Sequence, residues 1–255
     1  MDYSSAELMV VQAARRLRDG DRVFVGVGMP NLAANLAKRS HAPNLLMIYE
    51  SGVIDANPAR LPMSIGDACL VTGASLVCSM MEVFCFYLQR GLIDVGFLGG
   101  AQIDRYGNIN ATVIGPYDQP KVRLPGSGGS CEIATNAKRI LIMTPHQKRR
   151  FPEKVDFITS PGFLSGRKER LRLGLPGGGP AAVVTDLGIL EPDEEGELVL
   201  THLHPGATVE AVRENTGWPL KVADRLEATP EPTAEELRLL REELDPKRIY
   251  LKAPE

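Results

Sequence analysis

Apolar residues fall into short unbroken runs separated by stretches of helical spacing. Leu8, Val11, Ala14, Arg15 and Leu17 recur at intervals that give one helical face, behind a Ser4-Ser5-Ala6-Glu7 capping box. A helix is therefore predicted to about Asp19, where Gly20 ends it. Arg22 to Val27 is a short β-rich run, and Pro30-Asn31 opens a second helix through Leu32, Ala33, Leu36 and Ala37. Runs at Leu45–Tyr49, Val95–Leu98 and Arg139–Met143 lack alternation, as strands covered on both faces do, and a helix is expected near Met80 to Gln89. This succession predicts an α/β fold: an open, mostly parallel sheet with helices on both faces. Further on, Pro176-Gly177-Gly178-Gly179-Pro180 reads as an exposed turn, followed by hairpin-like strands at Val183–Leu190 and Glu197–Leu200. A second capping box, Thr233 to Glu236, opens a last helix to about Leu244, which Pro246 prevents from continuing.

The chain has 255 residues, enough for a sizeable core, and one domain over residues 1–255 is the default. Its 44% hydrophobic and 24% charged content places it among globular proteins. A formal net charge of -3 with interspersed signs argues against nucleic acid or an anionic membrane as a partner. The start lacks a basic region followed by an apolar stretch, and no run is long enough to cross a bilayer, so a cytoplasmic location is expected. Cys69, Cys78, Cys85 and Cys131 form no C-x-x-C pair and have no His at ligand spacing, which favours buried, reduced thiols over a metal site or disulfides.

Candidate chemistry starts with Glu50, directly after an apolar strand and before Ser51-Gly52. A carboxylate at the carboxyl end of a parallel strand lies where open α/β sheets bind ligands, and the glycine permits a sharp turn; a solvated loop glutamate is the bland alternative. Gly99-Gly100-Ala101-Gln102 and Gly126-Ser127-Gly128-Gly129 are glycine-rich turns whose amides could approach an anion, although tight packing explains such glycines as readily. Gly26 to Asn31 fails the dinucleotide pattern at Pro30 and Asn31, leaving Gly28 and Met29 as candidate pocket wall. No G-x-S-x-G surrounds Ser51, so serine hydrolase chemistry is disfavoured.

Six segments then occur in order: Glu50-Ser51-Gly52, Ser64-Ile65-Gly66-Asp67, Gly99 to Asn110, Gly126 to Gly129, His146 to Phe151, and Thr159-Ser160-Pro161-Gly162. Together they closely resemble the β subunits of the glutaconate CoA-transferase group, in family I of the coenzyme A transferases, over nearly the whole chain. The resemblance implies the CoA-transferase fold and a nucleophile at Glu50. It also implies that Ser51, Gly52, Gly99, Gly100, Ala101, Gln102, Gly128 and Gly129 line the acyl and thioester end of a CoA site. An α subunit of the same enzyme is the implied partner. Acyl-CoA and a carboxylic acid are the implied substrates, with CoA itself the covalent intermediate and neither a permanent cofactor nor a metal required.

Lys148, Arg149 and Arg150 are candidate contacts for the CoA phosphates, as is the Arg167-Lys168-Glu169-Arg170 cluster; a solvated basic loop is the alternative for each. His146 is expected to position a loop, because the implied chemistry transfers no obligatory proton to a side chain. Steroid-ring hydrolases share the Gly-Ala-Gln and Tyr-Gly-Asn segments but are not expected to keep Glu-Ser-Gly. The competing readings are a hydrolase of the same fold, in which water takes the acyl group from CoA, and a non-catalytic metabolite-binding subunit.

Overall fold

In the computed structural model, which describes residues 2–251, the chain divides into two compact units: one formed by the segment to Phe97 together with the segment from Glu231, the other by Leu98–Pro230.

In the first unit, helix α1 (Ser5–Ala14) starts from the expected capping box. Every residue from Glu7 to Ala14 is buried, so α1 is covered all round instead of on one face. It ends five residues before Asp19 because Arg16 and Leu17 donate to carbonyls three residues back, tightening the last turn. Strand β1 (Arg22–Val25), helix α2 (Met29–Arg39) and strand β2 (Leu46–Tyr49) follow. Two short strands, β3 (Val53–Ile54) and β4 (Leu76–Val77), extend the sheet beyond β2 by antiparallel pairing. Helix α3 (Met80–Glu82) continues as a π-helical segment, Val83–Leu88, and strand β5 (Val95–Leu98) pairs in parallel with β1. The register of β1 on β2 places Val25 opposite Tyr49, so both strands end side by side.

The second unit opens with two small hairpins. Strands β6 (Gln102–Ile103) and β7 (Ile109–Asn110) make the first, β8 (Val113–Ile114) and β9 (Val122–Arg123) the second. Helix α4 (Ser130–Asn136) leads to strand β10 (Arg139–Met143), and helix α5 (Arg167–Arg172) precedes β11 (Pro180–Val184), which runs parallel to β10. Strands β12 (Gly188–Pro192) and β13 (Leu198–Leu203) continue as antiparallel partners, and β14 (Lys221–Ala228) joins β13 in parallel. The open α/β sheet read from the sequence is present.

Two expectations change. The Pro176–Pro180 stretch is not simply an exposed turn: Gly177 and Gly179 are buried, and a Cβ on Gly177 would stand 2.4 Å from the Ala137 carbonyl oxygen. Its glycines allow this close backbone approach. The four cysteines are free but only half-buried. Among the described residues no helix is long and apolar enough to cross a membrane.

Candidate active site

Glu50 follows the last residue of β2 in a turn closed by the Gly52 amide, which donates to the Tyr49 carbonyl at 3.0 Å. Gly52 has φ 102°, and a Cβ there would lie 1.9 Å from the Cys78 carbonyl oxygen. The same glycine's carbonyl accepts from the Cys78 amide at 2.9 Å and from its thiol at 3.4 Å. The Glu-Ser-Gly turn is thus clamped against the segment after β4, which only glycine permits. Glu50 is half-buried, and among the described residues its carboxylate has no hydrogen-bond or ion-pair partner. Ser51 Oγ beside it is buried without a partner. The base of the turn is rigid: Tyr49 is fully buried and its hydroxyl donates to Asn31 Oδ1 at 2.9 Å. Burial pushes the Tyr49 phenol well above its ordinary range, so it stays protonated. Gly28 caps α2 with φ 85°, and a Cβ there would meet nothing within 4 Å; Met29 follows it, half-buried.

The glycine turns lie in the second unit. A Cβ on Gly100 would come within 2.3 Å of Ile109 Cγ2, so packing alone demands glycine there. The Ala101 amide donates to the Asn110 carbonyl at 2.9 Å, which removes it from the set of free donors. Gln102 is likewise engaged. Its Nε2 donates to Asp156 Oδ2 at 3.0 Å, while its Oε1 accepts from Asn110 Nδ2 at 2.7 Å and from the Asp156 amide at 3.0 Å. These bonds fold the loop back on itself. By contrast Gly126 and Gly128, at φ 95° and 48°, have nothing within 4 Å of an added Cβ, and Gly129 forms the N-cap of α4.

Among the basic residues, Lys148 and Arg149 are exposed, whereas Arg150 turns inward and donates from Nη1 to the Gly100 carbonyl at 3.0 Å. A cavity of about 340 Å³ lies between this turn and the loop, lined by Ala101, Gln102, Ile114, Leu124, Arg149 and Arg150 among others. The second basic cluster is structural at both ends. Arg167 donates to the carbonyls of Glu194 and Asp193. Arg170 is buried and donates to five carbonyls, those of Gly177, Pro161, Gly162, Ala134 and Thr135. Burial lowers Arg170 to about 10, still charged at neutral pH, and the five carbonyls take the place of water.

His146 is buried, stacked on Phe151 with ring centroids 4.2 Å apart, and bridged to Thr185 and Thr216 through its two nitrogens. Burial pushes it down to about 4 against the opposing pull of Asp186, which leaves it neutral and structural. Above pH 6.5 neither folded nor unfolded chain protonates this ring; between 6.5 and 4 only the unfolded chain does, so stability falls as pH falls through that window. The loss is about 3 kcal/mol when complete. Urea unfolding at pH 7 and pH 4.5 is expected to show a smaller difference in His146→Gln than in the parent, by about 2 kcal/mol; equal differences would mean that the ring titrates normally.

The sequence reading gave Asn31 and Asn110 no role of their own, and it placed Arg170 in a candidate phosphate-binding cluster where the structure uses it to hold five carbonyls. Asn31 and Asn35 stand four apart on the buried face of α2, a polar pair among Leu32, Ala33 and Leu36 that was the available signal. Among the described residues no group of three or more His, Cys, Asp or Glu could hold a metal ion.

The coenzyme A transferase family pattern matches residues 6–215, most of the chain. The chain belongs to the coenzyme A transferase family. It is 52% identical over 240 residues to the β subunit of 3-oxoadipate CoA-transferase of Pseudomonas knackmussii, covering 94% of this chain and 92% of that one. It is 41% identical over 260 residues to the β subunit of glutaconate CoA-transferase of Acidaminococcus fermentans, covering 99% and 97%. The crystal structure of glutaconate coenzyme A-transferase from the same organism superposes with a TM-score of 0.93 at 40% identity, over 99% of each chain. The transferase fold expected from the six motifs is therefore present, while the glutaconate resemblance is exceeded in identity by the 3-oxoadipate relative.

Proposed function

We propose that this coenzyme A transferase chain is the β subunit of a two-subunit enzyme, and that Glu50 carries CoA between carboxylic acids as a glutamyl thioester. The observation that carries the reading is the Glu50 carboxylate itself: presented at the end of a parallel strand, half-buried, free of any protein partner among the described residues, on a turn that Gly52 and Cys78 lock in place. A carboxylate is a weak nucleophile and reacts usefully only when it is held against its target.

In the proposed sequence a Glu50 oxygen attacks the acyl-CoA carbonyl, the carbon–sulfur bond breaks, and CoA leaves as thiolate from a mixed anhydride. The thiolate then attacks the glutamyl carbonyl, and the first acid departs as its carboxylate. The acceptor carboxylate reverses these steps, so the thioester is conserved and no proton need be held by a side chain. Backbone amides at Gly100, Gly128 and Gly129 are the proposed donors to the oxyanions, Ala101 having given its amide to Asn110. Ser51, Gly52, Gly99 and Gln102 are proposed to contact the acyl and thioester end of CoA, Gly28 and Met29 are the proposed pocket wall, and Lys148 and Arg149 remain the proposed phosphate contacts.

Similarity to 3-oxoadipate and glutaconate enzymes supports a short dicarboxylic acid as substrate, with 3-oxoadipate ahead on identity. Both relatives are named as a single subunit of their enzyme, which supports a second, α subunit as partner. Exposed Val77, Met80, Met81 and Phe86, close together in sequence, suit a chain that works with a partner. Co-expressed with an α-type chain, this chain is expected to elute as one complex and to move CoA from an acyl-CoA to 3-oxoadipate, with little transfer by either chain alone. Full activity of the isolated chain would contradict this. Acid and free CoA appearing at the same rate with and without acceptor would favour the hydrolase reading.

A further inference from the structure

Arg150 has a peculiar environment for a residue in an exposed basic turn. Its Nε is buried without a partner, and the Gly100 carbonyl is the one acceptor its guanidinium has among the described residues. The turn that carries it, Lys148–Arg150, is firmly based. The next residue, Phe151, is fully buried between the rings of His146 at 4.2 Å and Trp218 at 6.2 Å, and the Gly217 amide donates to its carbonyl at 2.7 Å. Arg150 is therefore presented to the Gly99–Ala101 loop from a rigid support.

The loop is held at the other end of the same peptide group. Arg150 Nη1 takes the Gly100 carbonyl at 3.0 Å, and the Ala101 amide of that peptide unit donates to Asn110 at 2.9 Å. The Gly100–Ala101 peptide plane is thus pinned by both its oxygen and its nitrogen. Two consecutive glycines would otherwise leave this segment with the widest conformational range the chain can have. Close contact with Ile109 limits where Gly100 can sit but does not orient its peptide planes.

We propose that Arg150 is a positioning residue, which fixes the Gly100–Ala101 peptide unit and thereby narrows the directions open to the adjoining Gly100 amide, the proposed donor to the thioester oxygen, and that it is not a ligand of the CoA phosphates. The inference rests on the transferase reading for its chemistry, although the pinning of the loop does not. A planar guanidinium at a carbonyl fixes direction, where a flexible ammonium would not. Oxyanion donors act by being in place before charge develops, so loss of the anchor reduces turnover more than ground-state binding.

The test compares acyl-CoA with the corresponding acyl-pantetheine thioester, which lacks every phosphate, in the assembled complex carrying Arg150→Gln. A positioning role predicts that kcat falls by about 10²-fold with both substrates, with KM for acyl-CoA changed by less than about threefold. Arg150→Lys should recover part of that loss. Hydrogen exchange supplies a readout independent of turnover: the amide of Ala101 should exchange at least about tenfold faster in Arg150→Gln than in the parent. Should Arg150→Gln fail to assemble, Arg150→Lys is measured by the same two methods, with smaller effects in the same direction. A loss confined to acyl-CoA, or unchanged exchange at Ala101, overturns the proposal. Absence of transfer by the unsubstituted complex would count against the transferase reading instead, while the exchange result still decides whether Arg150 holds the loop.

Discussion

Glu50→Gln is expected to abolish CoA transfer in the assembled enzyme, with a loss of about 10⁴-fold or more, the scale on which removal of a covalent nucleophile is felt. The amide matches the carboxylate in shape and is half-buried in the same turn, but it lacks the oxygen that attacks the thioester. No protein hydrogen bond or ion pair of the Glu50 side chain is given up among the described residues, so thermal stability should change by less than about 1 kcal/mol. That separation of effects distinguishes a nucleophile from a structural carboxylate. Steady-state transfer and thermal unfolding check it, with mass measurement to exclude deamidation back to Glu; near-normal transfer by the intact amide would remove Glu50 from the mechanism.

Gly52→Ala should be nearly as damaging for a different reason. The added methyl carbon would be placed 1.9 Å from the Cys78 carbonyl oxygen, and the backbone is at φ 102°, which side chains rarely adopt. Neither strain can relax without breaking the bond between the Cys78 amide and the Gly52 carbonyl. A destabilisation of about 4 kcal/mol or more is expected, roughly 8–15 °C in Tm for a chain of this size. Gly128→Ala is the informative comparison, because φ 48° with open space around it should cost only about 1–2 kcal/mol. Equal melting temperatures for the two variants would show that the turn at Glu50 is not clamped as described.

The parts of this fold that depend on local pattern were legible in the sequence. Val23 to Val25, Met47 to Tyr49 and Val95 to Leu98 are buried without alternation, which is why their runs identified strands. The capping boxes at Ser4 and Thr233 depend on residues three apart and were equally readable. What escaped depends on contacts distant in sequence. The Gly-Gly-Ala-Gln motif located a loop, but that Ala101 spends its amide on Asn110 and Gln102 its side chain on Asp156 follows from a hairpin and from a segment 54 residues on. Lys148-Arg149-Arg150 reads as one basic run, yet its last member turns inward to Gly100, a direction that charge counting does not reveal. Arg170 looks like a surface residue of a charged helix and is instead buried among five carbonyls supplied by three separate stretches of chain. The π-helical turn at Val83–Leu88 left the apolar pattern intact and so was hidden within an expected α-helix.

The central claim is that CoA is carried covalently on Glu50, and it is tested most directly by intact-protein mass spectrometry of the assembled enzyme incubated with an acyl-CoA donor and no acceptor acid. This chain, and not its partner, should become heavier by one CoA less one water, the oxygen having left with the first acid, and peptide mapping should place the adduct between Tyr49 and Ser51. Addition of the acceptor acid should discharge it, and Glu50→Gln should never acquire it. An adduct on any other residue, or rapid transfer with no adduct on this chain under conditions that preserve thioesters, would contradict the account.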